Sequence, residues 1–333
     1  MKVVVIGGGV AGIRTALALG RLGLTPTLIE KEATLGGKLR GWHCLFPTMT
    51  PAREILAPLL QELHTLGIEP MTSTEVMMIG EGGVQTSRGW VACSATVVCS
   101  GFDLFDATLK EEYGYGIYDN VITSADLERM MANGCVTTAD GTAPQRIAFL
   151  HCVGSRDEKV QQRHCSKVCC VTGVKQAMEM RRLFPQCEIY NFYMDIRMFG
   201  AGYEEMYRSA QQECGIQFIR GRISEAAPVL GGKVQIKAED TLIGRPLKMT
   251  VDMLVLLVGM TAGVSNSRWA ECRGLCQSDS RFMQPHDVFG GSVCSERRGV
   301  FYAGAVTAPK TIGESLNEAD AAALRVAEYL GAL

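Results

Sequence analysis

The stretch MKVVVIGGGVAGIRTALALGRLG restricts what this chain can fold into more than any other. Val3 to Ile6 are β-branched and run straight into Gly7, Gly9 and Gly12, spaced G-x-G-x-x-G, and an amphipathic helix follows. In such a strand–turn–helix the glycines allow a tight turn, close approach of the backbone to a pyrophosphate, and helix–strand packing. The helix N-terminus adds free N–H groups and partial positive charge, with Val10 and Ala11 at its start. The next strand, TPTLIEKE, ends on Glu30 and Lys31, where a carboxylate for ribose hydroxyls is expected.

A second strand–helix–strand pattern begins at RIAFLHCVGS, with a helix expected from about Val168 to Phe184 and the strand CEIYNFYMD after it. Strands alternating with helices predict an α/β protein with parallel sheets. The apolar run VDMLVLLVG predicts a strand buried on both faces. Thr311 and Glu314 form a T-x-x-E capping box, so a last helix should begin near Ile312. The expected organisation is one domain, residues 1–118 and 251–333, interrupted by a second at 119–250.

A net charge of −2 and the absence of basic, aromatic-laced runs give no reason to expect nucleic acid as a partner. The longest apolar run, Met253 to Met260, is about half of a membrane span. With a strand at the first residues, no signal peptide is expected and the reading is cytoplasmic.

The C-terminal GVFYAGA, followed by a capped helix, resembles the second flavin motif of two-dinucleotide-domain flavoproteins, the thioredoxin reductase-like enzymes. ATVVCSGFD resembles their middle motif, with Cys99, Ser100 and Gly101 where Ala-Thr-Gly is usual. The resemblance implies FAD rather than NAD at the first loop. Ser100, Gly101, Gly304 and Ala305 would contribute to the site, as would Lys310, Thr311 and Ile312. Ala305 stands where that group usually has Asp, which removes a contact to the ribityl chain.

In such enzymes the inserted domain has its own G-x-G-x-x-G for a nicotinamide dinucleotide. Here the corresponding turn reads His151-Cys152-Val153-Gly154-Ser155-Arg156, with one glycine and a cysteine. Cys152, Cys165, Cys169 and Cys170 are spaced C-x12-C-x3-C-C, a pattern unlike the rest of the 13 cysteines. In a reducing compartment that pattern points to metal or catalysis rather than disulfides. On a helix Cys165 and Cys169 share a face while Cys170 points about 100° from Cys169, so convergence requires the site at a helix N-terminus. Four thiolates suit zinc or an iron–sulfur cluster, and spacing leaves both open. A flavin without a nicotinamide site favours a one-electron carrier.

These residues together resemble the HdrA family, the flavin-bearing subunits of heterodisulfide reductases, over nearly the whole chain. The matching segments are VVVIGGGVAG, GGKL (Gly36, Gly37, Lys38, Leu39), FPT, HCVGSRD, HCSKVCC and VFYAGAVTAPK. The resemblance implies an FAD-containing oxidoreductase in which Cys152, Cys165, Cys169 and Cys170 bind a [4Fe–4S] cluster and GGKL joins the flavin site. It also implies that Lys175, five residues after the last cysteine, lies at the reactive flavin edge; unaided, that residue reads as a solvated helix lysine. The cysteines that follow FPT in the methanogen proteins are replaced here by MTPAREILAPL, and no ferredoxin insertion is present. The chain therefore looks most like the short HdrA-like members of bacterial sulfur-oxidising complexes. HdrB- and HdrC-like partners and a homodimer are implied by the family alone. The rival readings are a self-sufficient NAD(P)H-dependent reductase using Cys169 and Cys170, and a zinc-stabilised binding module.

Overall fold

A computed structural model describes residues 1–332. In chain order the elements used below are β1 (Lys2–Ile6), α1 (Val10–Arg21), β2 (Thr25–Ile29), β3 (Ala95–Val98), β4 (Val121–Thr123), α2 (Ser124–Ala132) and β5 (Arg146–Val153). There follow α3 (Cys169–Leu183), β6 (Glu188–Tyr193), β7 (Gln217–Arg220), β8 (Met253–Val258), β9 (Val300–Tyr302) and α4 (Ile312–Leu330). They fall into two compact units: Met1–Arg40, Ala52–Asp103 and Thr261–Leu333 form one, and Gly41–Pro51 with Leu104–Met260 form the other.

The first unit is built on a parallel sheet in the order β9-β3-β1-β2. Val3, Val4 and Val5 are buried on both faces, as a parallel strand covered by helices requires. Ile13, Ala16 and Leu17 turn one face of α1 into this core. The other face meets α4, where Arg14 pairs with Asp320 through two hydrogen bonds of 2.7 and 2.8 Å. The carboxyl ends of β1, β2, β3 and β9 lie side by side, and Gly7, Glu30, Cys99 and Ala303 are the residues that leave them. An antiparallel sheet of Val76–Gly80, Gly83–Thr86 and Gly89–Ala92 shares a core with this parallel sheet.

The second unit has a five-stranded parallel sheet, β4-β8-β5-β6-β7. The run VDMLVLLVG supplies β8, which is buried along its whole length between β4 and β5. A three-stranded antiparallel meander (Ile223–Pro228, Val234–Asp240, Arg245–Val251) shares a core with this sheet.

Candidate functional site: a dinucleotide cradle and a thiol cluster

The first unit's site grows from the turn after β1. A Cβ on Gly12 would stand 1.8 Å from the Gly7 carbonyl oxygen, and one on Gly7 would stand 2.5 Å from the Cys99 carbonyl oxygen. Those two glycines are therefore demanded by the packing of α1 and β3 against the loop. Gly9 differs: a Cβ there would meet nothing within 4 Å, so its freedom is space left for something outside the chain. It is the N-cap of α1 and has no side-chain cap, so the first N–H groups of the helix point toward that space.

Glu30 is buried, and its two oxygens accept from Gly8 N–H at 2.6 Å and Glu32 N–H at 2.8 Å. Each carboxylate oxygen has a further lone pair with which to accept from a ribose hydroxyl. Lys31 beside it is exposed. The GGKL segment is tied to the same loop, because Gly36 N–H donates to the Gly8 carbonyl at 2.7 Å. A Cβ on Gly37 would lie 3.1 Å from Gly9 Cα. Lys38 donates to the Phe102 carbonyl at 2.5 Å and lies over the Phe102 ring; burial lowers its pKa.

At the end of β3, Ser100 donates to the buried Asn266 Oδ1 at 3.5 Å, and Gly101 takes a φ of 70°. After β9, Gly304 N–H donates to Glu318 at 3.0 Å, and Lys310 bridges Glu318 at 3.1 Å and the Gly304 carbonyl at 3.3 Å. Burial raises the Glu318 pKa despite that lysine. Thr311 and Glu314 form a reciprocal capping box, so α4 starts at Ile312 with its N-terminus beside the buried Ala305 turn. Every residue expected to hold FAD thus belongs to the first unit. The open N-cap, the buried acid at the end of β2 and the close-packed GGKL turn fit a bound dinucleotide.

The corresponding turn of the second unit is built differently. In the first unit α1 begins at Val10, directly after the glycine loop; in the second, residues 154–168 separate β5 from α3. Arg156 takes the place of the open second glycine and pairs with Asp195. Gly154 is closed over by Phe105, whose ring a Cβ would meet at 1.9 Å. A nicotinamide dinucleotide therefore finds no phosphate cradle in this turn.

That segment organises thiols. The register of β5 against β8 shifts between Leu150 and Val153, and Cys152 at the irregularity adopts a φ of 62°, uncommon for a residue with a Cβ. Cys169 and Cys170 open α3, and both are buried, as is Cys152. The Cys152 and Cys170 thiols beside it, together with burial, push the Cys169 thiol well above the ordinary thiol range. Its hydrogen bond holds Cys170 down to about 4, and Cys152 is held down to about 7. Cys165 is less buried and accepts from Lys167 N–H at 3.3 Å. The Arg156 guanidinium pairs with Asp195, and the charges of Cys152 and Cys165 add to those that raise its pKa.

The rest of the CVGSRD motif is structural. Asp157 is buried between Lys110 at 2.8 Å and Arg222 at 2.7 Å, and these cations hold its carboxyl below the usual range although burial opposes ionisation. His151 reaches from β5 to Asn191 Oδ1 at 2.9 Å and packs into the space left by Gly173 on α3.

Lys175 is not a solvated lysine. Its side chain is 3% exposed, pairs with Glu128 on α2, lies 3.2 Å from Glu179 and donates to the Cys44 carbonyl at 2.9 Å. Glu128 also accepts from Gln176 at 2.7 Å and from His43 N–H at 2.9 Å. Glu128, Glu179, His43 and Asn266 are polar groups that sequence reasoning missed. The T-x-x-D box at Thr123 and Asp126, which caps α2, was the available signal for the helix that carries Glu128. Cys272 and Cys276 do not share a helix, since the one containing Cys272 stops at Arg273 and both thiols are exposed.

A family profile described as FAD dependent oxidoreductase matches residues 2–142. The chain is 32% identical to the iron-sulfur A subunit of the CoB–CoM heterodisulfide reductase of Methanocaldococcus jannaschii, over 97% of this chain and 63% of that protein. It is equally similar to an A subunit of the corresponding enzyme from Methanopyrus kandleri, with 99% of this chain and 64% of that protein aligned. The chain thus spans a little under two thirds of the relatives it matches. Among solved structures, thioredoxin reductase from T. acidophilum superposes with a TM-score of 0.70 at 14% identity, covering 99% of this chain and 97% of that one. The Lactococcus lactis enzyme gives 0.69 at 15%, with 100% and 99% covered. These two share the fold, two nucleotide-type units of the thioredoxin reductase kind. The sequence match extends along nearly the whole chain, through the glycine loop and the cysteine segment alike, so this FAD-dependent oxidoreductase is similar to the A subunits of heterodisulfide reductases over the part of them that it spans.

Proposed function

We propose that the chain is the flavin- and [4Fe–4S]-bearing electron-transfer subunit of a heterodisulfide reductase-like complex. The observation that supports this reading is the replacement of the second unit's phosphate turn by residues 154–168, which carry Cys165 between Cys152 near the end of β5 and Cys169 and Cys170 at the start of α3. These four would hold the cluster. Bound there, it supplies one-electron steps beside the two-electron chemistry of FAD. The chain's own contribution is electrostatic. The N-terminus of α3 and the Arg156 guanidinium offset the thiolate charge, and Asp157, anchored by Lys110 and Arg222, holds the segment that bears Cys165. The first unit binds FAD through the Gly7–Gly12 loop, Glu30 and GGKL.

The family resemblance extends the proposal to HdrB- and HdrC-like partners, a homodimer, a cytoplasmic location and a role in sulfur oxidation. It also assigns Lys175 to tuning of the flavin. No helix among the described residues is long and apolar enough to cross a membrane. Replacing Cys165 by Ser tests the reading: the purified variant should lose its iron and keep its FAD. Iron retained at the wild-type level would exclude Cys165 as a ligand. Stoichiometric bleaching of iron-free protein by NADPH would favour a self-sufficient reductase instead.

A further inference from the structure

The second unit holds another set of metal-type ligands that the cluster does not use. His43 Nδ1, the Cys44 thiol and the Glu179 carboxylate lie within 4.8 Å of one another. The two adjacent residues are fixed over α3 by their backbone: His43 N–H donates to Glu128 at 2.9 Å, and the Cys44 carbonyl accepts from Lys175 at 2.9 Å. His43 Nδ1 is 2.7 Å from Glu179 Oε1, so the ring and the carboxylate share one proton. Glu179 is buried, and its second oxygen makes no hydrogen bond, with only the Lys175 ammonium 3.2 Å away.

We propose that His43, Cys44 and Glu179 form a binding site for a zinc-type divalent cation with one coordination position left open. A tetrahedral ion with bonds of about 2.0–2.3 Å needs ligand atoms roughly 3.3–3.8 Å apart. The present spacing reaches this once the 2.7 Å His43–Glu179 contact opens by under about 1 Å and the Cys44 sulfur, within 4.8 Å of both, closes in by about 1 Å or less. The ion takes the place of the proton between Nδ1 and Oε1, the imidazole then carrying its proton on Nε2, and the Cys44 thiol gives up its proton to solvent on binding. Charge favours the exchange. Glu128 and Glu179 are two buried carboxylates served by one ammonium, so the pocket has an excess negative charge, and a dication with one thiolate neutralises it. Imidazole, thiolate and carboxylate together select zinc over magnesium or calcium. Three protein ligands leave the fourth position for water or an exchangeable thiolate, as in zinc sites that do chemistry. The His43 side chain is 41% exposed, so the site is open to solvent from that side. Glu179 lies nine residues beyond Cys170 on α3, about 13.5 Å along the helix, which makes this site distinct from the thiol cluster.

The test uses the full chain with its iron and FAD in place, stripped of loose metal and equilibrated with buffered micromolar Zn²⁺. Wild type should retain about one zinc per chain, with a first shell at the zinc absorption edge of one sulfur and two or three lighter atoms. Cys44→Ser and His43→Ala should each weaken zinc binding by at least about tenfold while iron and FAD contents stay at the wild-type level. The half-exposed position of His43 makes its variant the safer for folding. Three outcomes overturn the proposal: no zinc retained by wild type, zinc unchanged in both variants, or a four-sulfur shell that puts the ion on Cys152, Cys165, Cys169 and Cys170.

Discussion

Gly9 and Gly12 sit three residues apart in one loop, and the structure predicts opposite consequences for the same change to alanine. At Gly9 a Cβ meets nothing within 4 Å, and the backbone (φ −75°, ψ −177°) suits any residue. The loss of a preferred helix N-cap, up to about 1 kcal/mol, is offset by roughly 0.4–1 kcal/mol from a less flexible unfolded chain. The melting temperature of Gly9→Ala should therefore match wild type. Its methyl group occupies the space a pyrophosphate must enter, and displacing two charge-assisted hydrogen bonds at about 1.5–3 kcal/mol each weakens FAD by at least a hundredfold. At Gly12 the new Cβ would stand 1.8 Å from the Gly7 carbonyl, so α1 must move off β1. Such overpacking costs about 1–3 kcal/mol in addition to FAD binding. The assay is thermal unfolding of the FAD-free proteins beside FAD titration followed by flavin fluorescence. Gly9→Ala protein that binds FAD like wild type would refute the placement of the pyrophosphate, and Gly12→Ala protein of unchanged apo stability would refute the packing.

Further outcomes follow from the second unit. Lys175→Met leaves Glu128 and Glu179 buried without their cation and should destabilise that unit by about 3–5 kcal/mol, read by denaturant unfolding; adding Glu128→Gln should recover part of the loss. Wild-type stability there would mean that Lys175 is not paired as described. Asp157 has a depressed folded pKa, so its contribution is full above the unfolded carboxylate value of about 3.9 and is lost as pH falls below it. Asp157→Asn should accordingly flatten the acid limb of the stability–pH curve, whereas an unchanged limb would remove Asp157 from its cause. NADPH should not reduce the purified protein at a catalytic rate, because Arg156 and Phe105 close the second phosphate turn.

Most of the fold was legible because its signals are local. The β-branched run before Gly7, the T-x-x-E box at Thr311 and the unbroken apolar β8 each report on residues a few positions apart. The helix expected from about Val168 to Phe184 runs from Cys169 to Leu183. The irregularity in β5 that gives Cys152 its positive φ was not legible, since it is set by pairing with β8, a hundred residues away. The surroundings of Lys175 were hidden for the same reason. Glu128 in SADLERMMA has the pattern of a solvated helix acid, and only the packing of α2 beside α3 buries it against a lysine. Arg156 and Asp157 look alike as charged loop residues, yet one pairs with Asp195 and the other is buried and braces the loop through Lys110 and Arg222.

The central claim is that this chain carries one flavin and one iron–sulfur cluster. Anaerobic purification, a visible spectrum, and iron, acid-labile sulfide and FAD assays on the same sample test it directly. The expected result is about four irons and four sulfides per FAD, with absorbance near that of a [4Fe–4S] protein beneath the flavin bands. Flavin without iron, or zinc bound by four sulfurs in place of iron, would contradict it.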